Sequence, residues 1–154
     1  MVNRGVIASV AVGLVIGVLV VGCGGGGDGT ASISKAEFVK RANGVCARIG
    51  KQVTTQFAAF VASYGGKEPK GAALKAAQKK IVETILTPNK RSEIEQLRKI
   101  GMPTGGEAQI NAIVDGLERG IEEAEAQPTL AVTGKVKSFA DVERQAKEYG
   151  LTGC

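Results

Sequence analysis

Few side chains in this sequence have the means to do chemistry. They are the glutamates Glu118, Glu122, Glu123 and Glu125, the cysteines Cys23, Cys46 and Cys154, and the cations Lys75, Lys79, Lys80, Lys90 and Arg91. Two carboxylates across a cleft can hydrolyse a glycosidic bond as an acid–base pair, or hold a divalent cation through oxygen ligands. Here, however, Glu118 and Glu122 lie four residues apart beside Arg119, opposite the Leu117–Ile121 stripe, and read as a solvated helix face. The chain has no His, which removes Ser-His and Cys-His catalytic pairs, His-ligated haem and the commonest zinc ligand. Three cysteines are too few for a Cys₄ metal site or a disulfide-dense miniprotein. The expectation is therefore no catalytic residue, no metal and no cofactor.

The first cysteine belongs to a different chemistry. Arg4 gives the N-terminus a positive charge, and residues 5–22 then carry none. This is the layout of a secretory signal. Its end, Leu19-Val20-Val21-Gly22-Cys23, resembles the lipobox of bacterial lipoproteins, with Val20 in place of the usual Leu. The resemblance implies cleavage between Gly22 and Cys23, a diacylglycerol thioether on Cys23, palmitate-type acyl chains and placement on the extracytoplasmic face of the membrane. The alternatives are an uncleaved transmembrane anchor, since 18 uncharged residues reach the spanning range of about 17–25, or cleavage without a lipid. Gly24-Gly25-Gly26-Gly27-Asp28-Gly29-Thr30 then reads as a flexible tether. No strand pattern precedes it and no Gly-Lys-Ser/Thr follows, so it is not a phosphate loop. The organisation read from the sequence is a signal over 1–22, a tether over 23–32 and one domain over 33–154.

With Cys23 lipidated, Cys46 and Cys154 are left as an even pair, which outside the cytoplasm becomes a disulfide. A redox pair is the functional alternative, but there is no Cys-x-x-Cys and Cys46 falls on an apolar helical stripe.

The elements that hold these residues are all helical by periodicity. Ser34 and Glu37 form a capping box, with Ile33 and Phe38 spaced as a hydrophobic staple. Apolar residues then recur every three or four positions from Phe38 to Tyr64, which predicts a helix of about 30 residues stopped by Gly65-Gly66. A second helix is expected from Pro69 through Ile81 and Leu86, interrupted at Thr87-Pro88 and resumed through Ile94, Leu97 and Ile100. Thr104 and Glu107 open another, which buries Ile110, Ile113, Val114, Leu117, Ile121 and Ala124 and closes at Pro128. Ser138 with Asp141 reads as the N-cap of the last helix, and Gly150 as its left-handed end. All four Phe and both Tyr fall on apolar stripes, which favours core packing over the wall of a ligand cavity. The expected fold is all-α, a four- to five-helix bundle stapled near its C-terminus.

Ser34-Lys35-Ala36-Glu37-Phe38-Val39-Lys40-Arg41-Ala42-Asn43 leading to Cys46, Pro103-Thr104-Gly105-Gly106-Glu107, and Ala146-Lys147-Glu148-Tyr149-Gly150-Leu151 running to Cys154 together resemble a family of uncharacterised, secreted or lipid-anchored helical proteins of actinobacteria. That resemblance implies a helical domain with a Cys46–Cys154 link in the cell envelope, and no activity. Charge adds one more cue. Residues 35–99 hold 14 basic and 5 acidic side chains, whereas 100–154 hold 5 and 9. Either the two halves neutralise each other across the bundle, or Lys75, Lys79 and Lys80, joined by Lys90 and Arg91, face anionic headgroups or wall polymers. Nucleic acid is not an expected partner, because no aromatic residue interleaves with the lysines. The functional expectation is a membrane-anchored, non-enzymatic interaction module with an envelope protein or an anionic wall or lipid partner. The alternative is a carrier of a small apolar or lipid ligand.

Overall fold

The computed structural model describes residues 33–65 and 67–154. The signal segment, Cys23 and the Gly tether lie outside the described residues. The described residues form α1 (Lys35–Ala62), α2 (Ala72–Ile81), a π-helical turn (Val82–Leu86), α3 (Thr87–Ile100), α4 (Glu107–Ala126), the short α5 (Pro128–Val132) and α6 (Lys137–Tyr149). The fold is an all-α bundle with the Cys46–Cys154 staple. Among the described residues the only β pairing is one isolated bridge, Ile33 to Pro103, which ties the start of the domain to the α3–α4 turn. No helix among them is long and apolar enough to cross a membrane.

Local chemistry sets the helix ends. The Ser34 hydroxyl accepts from the Glu37 N–H at 3.2 Å and caps α1, while the Glu37 carboxylate turns to Arg41 instead of closing the box. Gly71, at φ +57°, delays the second helix to Ala72, so Pro69 precedes it and does not open it. Pro88 does not break the helix. Its missing N–H and its ring are incompatible with ordinary α geometry one turn back. The chain answers by widening that turn, so that the Thr87 N–H reaches the Val82 carbonyl, five residues away. The Asn89 side chain donates to the Ile85 carbonyl at 2.6 Å, and α2 runs on through the π turn into α3.

The last helix corrects two expectations. Pro128 ends α4 but also begins α5. Ser138 is not the N-cap of α6, which starts one residue earlier, at Lys137. Its hydroxyl and backbone N–H both donate to Glu123 of α4, at 2.5 and 3.3 Å, so the helix is capped from across the bundle. At the other end Gly150 takes φ +107°, and the Leu151 N–H turns back to the Ala146 carbonyl at 2.8 Å, leaving Leu151 1% exposed.

Contacts fix the topology. Gln56 meets Asn89, and Cys46 meets Glu93, so α1 runs antiparallel to the α2–α3 rod. Arg91 pairs with Glu125 and Arg98 with Glu118, so α4 runs antiparallel to α3. α6 packs most extensively on α4. The core gathers Phe38, Leu97, Ile113, Leu117, Val142 and Leu151 from every long element and the tail. At about 1.5 Å per residue α1 is roughly 42 Å long and α6 only about 20 Å. The fourth wall therefore covers only the half of the bundle where Ile33 enters. The other half is walled by α1, α2 and short α5.

Close α4–α6 packing depends on two glycines one turn apart. A Cβ on Gly116 would stand 2.4 Å from Val142 Cγ2, and one on Gly120 would stand 2.2 Å from the Phe139 ring. Gly120→Ala should therefore destabilise by about 1–3 kcal/mol, overriding the helix-propensity gain of about 1 kcal/mol. Gly44→Ala, with nothing within 4 Å of its Cβ, should show that gain undiminished. Urea titration of both variants checks the contrast.

Candidate functional site

The staple region is the most polar part of the interior. Cys46 and Cys154 are disulfide-bonded, with Cα atoms 4.9 Å apart. Against them lies Glu93, 2% exposed, with Oε1 3.7 Å from Cys46 Sγ and Oε2 2.7 Å from Lys90 Nζ. A bonded sulfur has no proton to give, so among the described residues Lys90 is the only charge partner of this carboxylate. Cys46, Cys154 and Glu93 are also the residues whose donor atoms come nearest to a metal-ligand grouping, all within 4.8 Å of one another. Sulfurs bonded to each other supply no thiolate, and the cluster as it stands is a staple resting on an ion pair.

The four glutamates do not face one another across a cleft. Glu118 pairs with Arg98 at 2.8 Å and Glu125 with Arg91 at 3.1 Å. Glu123 accepts from Ser138. Glu122 lies in the α3–α4 trench among Arg91, Arg98 and Lys99. This is charge matching between two helices, the neutralisation that the opposed charges of the two halves foreshadow. The hydrogen bonds from the Ser138 hydroxyl and N–H hold the Glu123 carboxyl below its ordinary range, with Lys137 and Arg119 adding to the effect. A depressed folded pKa means this contribution is present above the unfolded carboxyl pKa and is lost as pH falls through the folded one. Ser138→Ala removes the hydroxyl bond but keeps the backbone one, so it should move the Glu123 carboxyl part of the way back toward its ordinary value and weaken that acid-side dependence. NMR titration of the Glu123 side chain reads both.

The candidate anion-contact residues divide. Lys75, Lys79 and Lys80 are exposed on α2, with Lys79 3.6 Å from Glu83. Lys90 does not join them, because it is 29% exposed, bound to Glu93 and 5.9 Å from the Phe139 ring centroid. Arg91 is exposed on α3 and pairs with Glu125 at 3.1 Å.

What periodicity alone does not reveal is a cleft at the half of the bundle that α6 leaves uncovered. The stripe on α1 is core from Phe38 to Ile49, but beyond that its residues lose their cover. Phe57 is 39% and Val61 49% exposed. Together with Phe60 and Tyr64 they face Leu74, Ile81 and Val132 around a cleft of about 440 Å³. The expectation of core packing thus holds for Phe38 and Tyr149, but Phe57, Phe60 and Tyr64 line a cavity. The available signal is arithmetic: α1 is 28 residues long, whereas α6, the last wall of the bundle, is 13.

No known protein family, no characterised protein and no solved structure matches the chain.

Proposed function

We infer that this protein is a non-enzymatic binding module held on the extracytoplasmic face of the membrane by lipidated Cys23, and that the distal cleft is its working surface. The observation that carries this reading is the cleft itself. At about 440 Å³ it falls within the range of ligand sites, roughly 300–1,000 Å³, and its lining is mostly apolar with few polar groups. A small apolar or lipid ligand is therefore the occupant the geometry supports best. Ile33 hydrogen-bonds the α3–α4 turn at the opposite end of α1, so a tether entering there leaves the cleft clear of the anchor. A second reading, docking of an envelope protein, is favoured by Phe57 and Val61, which project at the rim.

A photo-crosslinking residue in place of Val61, activated in intact envelopes, distinguishes the two. A lipid-sized adduct supports the carrier and a protein adduct supports the docking surface, while no adduct at all removes the cleft as the working surface. Mass spectrometry of the membrane-extracted protein should show an acylated N-terminal Cys23, and an intact Met1 end would overturn the anchor.

A further inference from the structure

The chemistry of the distal cleft narrows its ligand further. One side is aromatic and aliphatic, built by Phe57, Phe60, Leu74 and Ile81. Set among them is Gln78, only 9% exposed, whose carboxamide oxygen accepts from the Thr129 hydroxyl at 2.8 Å. Its amino group has no protein acceptor among the described residues. That nitrogen is not among the buried atoms left without a partner, so it keeps contact with solvent and can donate to water or to an acceptor on a ligand in the cleft. Lys67 lines the cleft, and Lys70 and Lys75, outside the lining, each follow a lining residue in sequence, Pro69 and Leu74. All three lysines are exposed, and none has an ion-pair partner among the described residues. On α3 and α6, by contrast, Arg91, Arg98, Lys99, Arg144 and Lys147 are each matched to a carboxylate. Glu68 is the one acidic residue in the lining. An apolar trough with an amide donor in its lining, one lysine beside Glu68 and two further unpaired lysines next to lining residues is complementary to an amphiphile with an anionic head.

We propose that the cleft binds one long-chain carboxylate, with its acyl chain along Phe57, Phe60, Leu74 and Ile81 and its head held by the Gln78 amino group together with Lys67, Lys70 and Lys75. The volume of about 440 Å³ suits a single chain and not a diacyl lipid. The proposal rests on the reading of the cleft as a ligand site and names the ligand class.

Displacement of the neutral fluorophore phenylnaphthylamine from the full chain carrying Cys23→Ser tests it, and the absence of Trp leaves the fluorophore signal clear. Palmitate below its micellar concentration should displace one equivalent of fluorophore. Hexadecanol, with the same chain length and no charge, should compete about tenfold more weakly, and added salt should narrow that gap. The triple variant Lys67→Gln, Lys70→Gln, Lys75→Gln should lose about tenfold in palmitate affinity and nothing for hexadecanol. Phe60→Glu should abolish binding of both, with circular dichroism confirming an intact fold. If palmitate and hexadecanol compete equally, or the triple variant keeps its palmitate affinity, the carboxylate assignment is wrong while the ligand site stands, since the fluorophore still binds. If the fluorophore fails to bind the parent chain, the ligand-site reading falls with it.

Discussion

Replacing Cys46 and Cys154 together by Ala should lower the stability of the domain by about 4–5 kcal/mol and its thermal midpoint by roughly 10–20 °C. The link spans 108 residues, nearly the whole domain, so in the chain-entropy model its removal frees almost the entire unfolded chain. The folded state has other ties to the same tail. The Asn43 side chain donates to the Gly150 carbonyl and accepts from the Gly153 N–H, both at 3.2 Å, and Leu151 is fully buried. Helix content at low temperature should therefore survive while the transition moves. The denaturant slope should also steepen, because an unlinked unfolded chain exposes more surface. Reduction should cost less than the double alanine variant. A reduced Cys46 thiol gains a proton to donate to the Glu93 Oε1 now 3.7 Å away, whereas alanine leaves that oxygen facing nothing polar. Urea titrations of oxidised, reduced and Ala/Ala protein check the order, and equal midpoints for all three would show that the staple contributes nothing.

Much of this architecture was legible because it follows from local rules. Helix periodicity marks Phe38 to Ile49 and Ile110 to Ala124 as buried faces, and the left-handed Gly150 with buried Leu151 follows from the residue types alone. What was not legible depends on length matching and on rescue from elsewhere in the fold. Pro88 predicts an interruption, but whether the helix breaks is decided by Asn89, whose side chain satisfies the Ile85 carbonyl while also reaching Gln56 on α1. Ser138 has the right type for a cap, yet the carboxylate that caps α6 comes from Glu123, fifteen residues earlier. The cleft needs the relative lengths of α1 and α6, which no single stretch of sequence contains.

The buried charge was also readable in part, and it yields the second large effect. Ile81, Ile85, Asn89, Glu93 and Leu97 follow one another at intervals of four, so Asn89 and Glu93 occupy core positions of an apolar stripe. Lys90→Met should therefore cost about 3–5 kcal/mol, nearer the lower figure because Lys90 is partly in water. Its loss strands a carboxylate that is 2% exposed between a disulfide sulfur and aliphatic neighbours. Glu93→Leu alone should cost less, since the freed ammonium can extend into solvent and the new side chain joins Ile49, Val53 and Leu86 around a cavity of about 190 Å³. The double variant Lys90→Met, Glu93→Leu should be close to the parent or more stable than it, because desolvating two ions offsets most of what their attraction returns. The sign of the coupling in this double-mutant cycle is the decisive quantity. Costs that simply add would mean that Lys90 and Glu93 act independently, and that Glu93 is held by contacts other than its 2.7 Å bond to the ammonium. A coupling of several kcal/mol with a stable double variant would show that the pair is dispensable for stability. The ion pair would then serve to fix which face of α3 meets the staple, since only one rotation of the rod lets Lys90 reach water while Glu93 meets Cys46.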